Sequence, residues 1–225
     1  MSLFPIFLKL AARPCLVIGA GNLAESKIES LQQANARVTV IAPKATPRIA
    51  TLAAAGEIDW KQRNYTAGDL AGQFLVVAAT NDPAVNRAVH KEAVENNILC
   101  NAVDDPPFCD FYFPSVVRRG DLQIAISTNG ASPALAQRLR KEINAQLPLD
   151  AGDWLTDLGN LRREVTQQEP LNDERKWLLH QLAQREVCGY DACPSRVLAR
   201  QHALTNPLPN HQPSEKSQEK SQEKS

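Results

Sequence analysis

A short apolar run followed by a glycine turn is the feature that most restricts how this chain folds. Residues 15–18 are entirely apolar and lead directly into Gly19-Ala-Gly21-Asn-Leu-Ala24. These six residues fit the G-x-G-x-x-G/A pattern, and a helical spacing of apolar residues begins at Asn22. A glycine motif between a buried strand and a helix predicts a dinucleotide-binding α/β domain.

Each small residue of this motif has a physical role. Gly19 permits the tight turn, Gly21 lets the backbone approach a pyrophosphate, and Ala24 allows the helix to pack closely on the sheet. The start of the helix then offers unpaired N–H groups to phosphates. A glycine-rich turn without a ligand is the alternative explanation. The predicted cofactor-binding residues are Gly19, Gly21, Asn22, Leu23, Pro43, Lys44, Thr80 and Asn81.

The acidic residue that usually binds the adenosine ribose, about 20 residues after the motif, is missing. The second predicted strand, residues 37–41, is followed by Ala42-Pro43-Lys44. Backbone or other groups must therefore bind the ribose, and Lys44 suits a 2′-phosphate as well. The sequence favours NAD without excluding NADP.

Strands and helices alternate through the first half of the chain, which predicts a Rossmann-type, doubly wound parallel sheet. The carboxyl ends of parallel strands meet at one edge, where ligands bind. The segment 79–82 follows a strand and lies at this edge, although Asn81 or Asp82 also suits a helix cap. Strands are predicted at residues 15–18, 37–41, 58–62, 74–78 and 98–103.

The alternation stops after Asp104. Residues 111–117 and 122–127 are predicted to be strands joined by a turn at 118–121, and Ser132 is predicted to cap a helix that reaches about Gln146. Two helices then follow, one with an apolar stripe that includes Leu155 and Leu161, and one at 177–187. The predicted domains are residues 1–113, a small α+β segment at 114–147, a helical part at 148–205 and a disordered tail at 206–225.

Composition excludes several classes of protein. The 25 Lys and Arg residues balance 25 Asp and Glu residues, so no overall charge favours nucleic acid or an anionic membrane. We find no membrane-spanning run and no signal peptide, and we expect a cytoplasmic protein with reduced thiols. The four histidines are isolated, and Cys188 and Cys193 lack further ligands nearby, so no metal site is predicted. The Tyr-x-x-x-Lys motif of short-chain dehydrogenases is absent.

Several further segments carry a family resemblance. They are residues 3–8, 15–24, 76–82, Cys100-Asn-Ala-Val-Asp104, Phe113-Pro-Ser115 and Ser127-Thr-Asn-Gly-Ala-Ser-Pro-Ala-Leu-Ala136. With these segments in order from about residue 3 to residue 165, the chain resembles the precorrin-2 dehydrogenase/sirohydrochlorin ferrochelatase module of sirohaem synthesis. Because no methyltransferase domain follows, it resembles the free-standing form.

The resemblance implies NAD-dependent oxidation of precorrin-2 to sirohydrochlorin and, in many members, insertion of Fe²⁺ as a substrate. It implies a homodimer built by residues 114–147. It also implies a catalytic role for Asp104 in both reactions, whereas turn preferences alone would make Asp104 the start of a turn.

A tetrapyrrole substrate with many carboxylates needs cations or N–H donors. The turn before the helix at Pro133 is a natural anion-binding nest, and the predicted substrate-binding residues are Ser127, Thr128, Asn129, Gly130 and Ser132. In some relatives a serine at the position of Thr128 is phosphorylated. Charged residues nearby could contribute, although a solvated position is the simpler interpretation of each: Arg118, Arg119, Arg138, Arg140 and Lys141.

Two alternatives remain open. A dehydrogenase without chelatase activity has the same sequence features. A non-enzymatic NAD-sensing module would require Gly19 and Gly21 but not Asp104.

Overall fold

The computed structural model describes residues 3–168 and 170–183, which form two compact units divided between Phe113 and Pro114. The rest of the predicted helical part, including Cys188 and Cys193, and the predicted tail at 206–225 lie outside the described residues.

The first unit is built on a parallel sheet with strand order β3-β2-β1-β4-β5. The order reverses direction between β1 and β4, which makes their carboxyl ends the switch point where a crevice opens. The predicted doubly wound parallel sheet is therefore confirmed. Its elements are β1 (Pro14–Ile18), α1 (Asn22–Gln33), β2 (Arg37–Ile41), α2 (Pro47–Ala54), β3 (Asp59–Lys61), β4 (Leu75–Ala78), α3 (Pro83–Glu95) and β5 (Leu99–Ala102).

Both faces of this sheet are buried, as the apolar strands predict. Val17 and Ile28 belong to the core cluster on one face, and Leu16 and Val89 to the cluster on the other. Burial raises the pKa of the Cys15 thiol to about 11 and is the main reason that the pKa of Cys100 rises to about 12. Both thiols are thus protonated at neutral pH and behave as small apolar side chains.

A close contact joins the turn after β1 to the end of β4. Gly19 has φ of +103°, and a β-carbon on it would lie 2.4 Å from the carbonyl oxygen of Ala79. Gly19 N–H donates to the Ile41 carbonyl at 2.9 Å, and Ala79 N–H donates to the Ile18 carbonyl at 2.8 Å. Glycine is therefore required here both for its conformation and for lack of space.

The described part of the second unit, up to Ala183, has an antiparallel hairpin and three helices. They are β6 (Ser115–Arg119), β7 (Leu122–Ile126), α4 (Pro133–Gln146), α5 (Ala151–Gln168) and α6 (Asp173–Ala183). The predicted cap of α4 is confirmed, because Ser132 Oγ accepts from the Leu135 N–H at 3.2 Å. Leu161 of α5 and Leu182 of α6 form a small apolar cluster.

Residues 111–117 are not a strand throughout, because the strand begins at Ser115. Phe111 and Phe113 instead pack on the core of the first unit from an irregular segment. Asn101 Nδ2 holds this segment by donating to the Phe111 carbonyl at 2.8 Å. A short run of aromatic residues does not by itself determine the secondary structure.

Several other boundaries differ from the prediction by one to a few residues. The second C-terminal helix begins at Asp173 rather than 177, because Asn172 Oδ1 accepts from the Arg175 N–H at 2.8 Å and caps a polar first turn. Strand β5 ends at Ala102 rather than 103, so Asp104 lies in the following turn.

Substitution Gly19→Ala is expected to lower the free energy of unfolding by about 2 kcal/mol or more, since it adds a steric clash to an unfavourable backbone conformation. Gly56→Ala is the matched control, because Gly56 also has positive φ (+73°) but has no atom within 4 Å of an added β-carbon. Gly56→Ala is expected to lower the free energy of unfolding by about 1 kcal/mol. Urea unfolding followed by circular dichroism measures both, and equal losses would contradict a packing role for Gly19.

Candidate dinucleotide site

A cavity of about 690 Å³ opens at the carboxyl edge of the parallel sheet. Its volume lies within the usual range of ligand pockets. Of the predicted cofactor-binding residues, six line this cavity: Gly19, Gly21, Pro43, Lys44, Thr80 and Asn81. Asn22 and Leu23 do not line it, and their side chains are exposed at the first positions of α1. Their backbone N–H groups belong to the first turn of α1, next to Gly21.

Gly21 precedes α1 in an ordinary extended conformation, with φ of −87° and ψ of −175°. A β-carbon on Gly21 would have no protein atom within 4 Å. Neither backbone strain nor protein packing therefore requires glycine at this position. Within the described chain no side chain caps α1, whereas Thr46, Asp82 and Ser132 cap the next three α-helices. An open approach to an uncapped helix start fits a bound pyrophosphate.

The polar groups of Thr80 are already engaged within the protein. Its hydroxyl donates to Asn86 Oδ1 at 2.7 Å, and its backbone N–H contacts the same oxygen at 3.3 Å. Asn86 Nδ2 in turn donates to the Thr80 carbonyl at 3.1 Å. Asn86 is a buried polar residue of α3 that the sequence analysis did not identify. It fixes the turn after β4, so Thr80 shapes the cavity rather than supplying a free hydrogen-bonding group.

The sequence analysis also missed the wall that follows β3. Asn64 and Tyr65 line the cavity there, and the edge rule that placed Thr80 could have placed them too. The Tyr65 hydroxyl donates to the Glu92 carboxylate, which also accepts the Gly68 and Leu70 N–H groups at 3.0 Å. Burial is the main reason that the pKa of Tyr65 is raised, and the bond to Glu92 adds to it. Tyr65 is thus a neutral, fixed ring.

The end of β2 has no carboxylate for a ribose. Five consecutive residues after this strand line the cavity, and Lys44 among them is exposed: Ala42, Pro43, Lys44, Ala45 and Thr46. Thr46 Oγ1 is occupied in capping α2 through the Ile49 N–H. The geometry therefore suits a dinucleotide but does not select against a 2′-phosphate by charge.

Asp104 lies at the same edge of the sheet but does not line the cavity. The preceding residue, Val103, donates its N–H to the Ala78 carbonyl at 2.9 Å, which ties this turn to the end of β4. Asp104 has φ of +62°, in the left-handed region, and it is exposed. Asparagine and aspartate adopt this conformation more readily than other non-glycine residues, so the turn presents a carboxylate at the ligand edge.

The predicted substrate-binding turn lies in the second unit and is ordered by its own hydrogen bonds. Thr128 Oγ1 donates to the Ser132 carbonyl at 3.1 Å and accepts from its N–H at 3.2 Å. Ser127 Oγ accepts from the Asn129 N–H at 3.2 Å. Asn129 and Gly130 both have positive φ, which gives the tight turn.

Two of the candidate cations near this turn have partners in the protein. Arg119 donates to carbonyl groups at the end of α4, including that of Asn144 at 3.0 Å. Arg138 pairs with Glu142 at 3.4 Å on an exposed helix face. Arg119 therefore stabilises a helix end.

Two family models match the chain. Residues 6–115 match a model described as putative NAD(P)-binding, and residues 119–146 match one described as sirohaem biosynthesis protein, central. A siroheme synthase of Methylobacillus flagellatus is 37% identical over 204 residues, and siroheme synthase 1 of Cronobacter sakazakii is 42% identical over 162 residues. Most of this chain is therefore similar in sequence to siroheme synthases.

The alignments cover different shares of this chain and of its relatives. The alignments cover 91% and 72% of this chain but only 44% and 34% of the two siroheme synthases, so the chain spans less than half the length of either. A solved structure described as SirC, precorrin-2 dehydrogenase, aligns over its whole length and over 91% of this chain, with a TM-score of 0.72 and 25% identity.

Within the described residues no three His, Cys, Asp or Glu side chains are grouped so that they could hold a metal ion. His90 instead makes an edge contact with the Phe108 ring, at 5.1 Å between centroids.

The helices described here include none that is both long and apolar enough to span a bilayer.

Substitution Gly21→Asp is expected to separate stability from cofactor binding. Aspartate is a favoured N-cap residue, so the free energy of unfolding should be unchanged or higher by up to about 1 kcal/mol. The same carboxylate would meet the pyrophosphate, and NAD⁺ should bind at least about tenfold more weakly, which is about 1.4 kcal/mol. Titration calorimetry and thermal unfolding measure the two effects.

Gly21→Ala is the control for size without charge, and it should weaken NAD⁺ binding less than Gly21→Asp. Unchanged NAD⁺ affinity in Gly21→Asp would contradict this location of the cofactor.

Proposed function

We propose that this chain is an NAD-dependent precorrin-2 dehydrogenase that forms sirohydrochlorin. The observation that carries the proposal is the placement of Asp104 at the same sheet edge as the dinucleotide-sized cavity. The name of the structural relative, precorrin-2 dehydrogenase, supports it, as does the match of residues 119–146 to the central sirohaem biosynthesis model.

The proposed roles divide between the cavity and Asp104. NAD⁺, when bound, accepts a hydride. We assign its binding to Gly19, Gly21, Pro43, Lys44, Thr80 and Asn81, with backbone N–H groups of Asn22 and Leu23 facing the phosphates. Removal of a hydride must be balanced by loss of a proton, and an exposed carboxylate is a suitable base. Asp104 is therefore proposed to accept the proton that the substrate loses.

The remaining assignments concern the substrate and the assembly. The turn before α4 is proposed to bind substrate carboxylates, as ordered turns rich in N–H groups can do. The residues proposed for this role are Ser127, Thr128, Asn129, Gly130 and Ser132.

Residues 114–147 are proposed to form a homodimer, with residues 148–205 as a helical domain. We place the protein in the cytoplasm.

A second activity, insertion of Fe²⁺ as substrate to form sirohaem, is favoured by one observation. The relatives that match over most of this chain are called siroheme synthases, and sirohaem contains iron. In this reaction Asp104 would accept protons from the pyrrole nitrogens. A chain with dehydrogenase activity only is the competing proposal, and it agrees with the name of the structural relative.

The proposed dehydrogenase is tested by adding precorrin-2 and NAD⁺ to the purified protein without oxygen. We expect the absorption spectrum of sirohydrochlorin to appear together with that of NADH. NAD⁺ binding without any turnover would instead favour an NAD-sensing module. A comparison of NAD⁺ and NADP⁺ in the same assay determines the cofactor preference that Lys44 leaves open.

Substitution Asp104→Asn is expected to lower kcat by about 100-fold or more while NAD⁺ affinity stays within twofold, since the proposed base is lost and the cavity is untouched. Asparagine tolerates the left-handed conformation of this turn, so the fold should be retained. Asp105→Asn is the matched control and should keep nearly full activity. An equal fall in kcat in Asp104→Asn and Asp105→Asn would contradict a specific role for Asp104.

The proposed chelatase is tested by adding Fe²⁺ to sirohydrochlorin with and without the protein. We expect a protein-dependent rate of sirohaem formation that Asp104→Asn abolishes. A rate equal to the background would leave the protein a dehydrogenase only.

A further inference from the structure

Lys27 of α1 is a half-buried cation that neither the cofactor cavity nor the sheet uses. Ala24, Ile28 and Leu31 form the buried face of α1, and Lys27 lies beside that face, one helical turn beyond Ala24. Its ammonium is 4.3 Å from the centroid of the Phe113 ring. A lysine whose stem follows an apolar face usually extends its charge into water, whereas this one is held on an aromatic ring.

The support for this lysine is itself fixed. Phe113 and Phe111 are in ring contact at 5.6 Å, and both pack on the core of the first unit. The Phe111 carbonyl is held by Asn101, a buried residue of β5. Strand β5, the aromatic segment after it and helix α1 together therefore determine where the ammonium lies. A preorganised charge binds an anion at a lower entropic cost than a free lysine side chain does.

Lys27 has no ion pair within 4.0 Å among residues 3–168 and 170–183. Burial lowers its pKa, and the negative charge of Asp104 partly opposes this effect. Asp104 is thus near enough to act on the ammonium electrostatically without neutralising it by contact. Some other cations of the first unit do form ion pairs, namely Arg48 with Glu29 and Arg63 with Asp69.

This arrangement addresses a problem that the proposed reaction creates. A tetrapyrrole with many carboxylates is repelled by the carboxylate that must act on it, unless a cation lies close by. We propose that Lys27 binds a carboxylate side chain of the substrate beside Asp104. The proposal rests on the proposed function, and it adds a substrate contact that lies within the first unit. Lysine can donate up to three hydrogen bonds, so it can hold such a group at the side of the ring system.

The test measures binding of sirohydrochlorin to the full chain, without oxygen, by absorbance titration. Lys27→Met keeps most of the apolar stem and removes the charge, so we expect the Kd to rise by about tenfold or more. Lys27→Arg keeps the charge and should bind within about threefold of the unchanged protein. Lys91→Met is the matched control, because Lys91 lies exposed on α3 and pairs with Glu95. Lys91→Met should leave the Kd for sirohydrochlorin unchanged.

Three further measurements separate a substrate contact from a structural role. The NAD⁺ affinity and the melting temperature of Lys27→Met should match those of the unchanged protein. The weakening of sirohydrochlorin binding by added salt should be smaller in Lys27→Met, because one screened charge pair has been removed.

The outcomes distinguish the two proposals. If the unchanged protein binds sirohydrochlorin and Lys27→Met binds it within twofold, the role of Lys27 is overturned and the proposed function stands. If Lys27→Arg loses as much affinity as Lys27→Met, the charge is not what binds, and the role is again overturned. If the unchanged protein binds no sirohydrochlorin, the proposed function fails and this inference fails with it.

Discussion

The close contact between Gly19 and the carbonyl of Ala79 is the constraint on which the site depends. It brings together the two turns that leave β1 and β4, the strands between which the order of the sheet reverses. The crevice lies at this reversal because the following helices depart to opposite faces of the sheet. A side chain at position 19 would push the turns apart, and the cavity that both turns line would change its shape. Close packing of the backbone at Gly19 thus sets the geometry, together with the backbone hydrogen bonds of Gly19 and Ala79.

Hydrogen bonds from two side chains of α3 then hold the walls of the cavity. Asn86 satisfies the polar groups of Thr80, and Glu92 does the same for Tyr65 and the segment after it. Neither residue lines the cavity itself. Because a buried polar group left without a partner is costly, these bonds make the loop conformations stable without a ligand. The site is therefore largely preformed, which reduces the ordering required when a ligand binds.

The sequence predicted the parts of the fold that local patterns control. The β1 and α1 boundaries follow from the apolar run and the glycine motif, and the α4 cap follows from Ser132-Pro133. The segment around Phe111 and Phe113 was predicted wrongly as a strand. A run of aromatic residues does not reveal whether the chain that packs on the core is regular or irregular. Long-range effects were also hidden. No local pattern shows that Asn86 reaches Thr80, or that Lys27 lies over Phe113, since each pair is joined only by folding.

The absence of a carboxylate after β2 has a consequence for cofactor recognition. In the usual arrangement an acidic residue binds the ribose hydroxyls and repels a 2′-phosphate. Here Lys44 stands in that region, and Thr46, which could bind a hydroxyl, already caps α2. Charge at this strand end therefore does not select against a 2′-phosphate. Tyr65 and the neighbouring Asn64 line the same cavity, and the bond between Tyr65 and Glu92 holds the Tyr65 ring in place. One wall of the cavity is thus fixed from α3, whichever of the two cofactors binds.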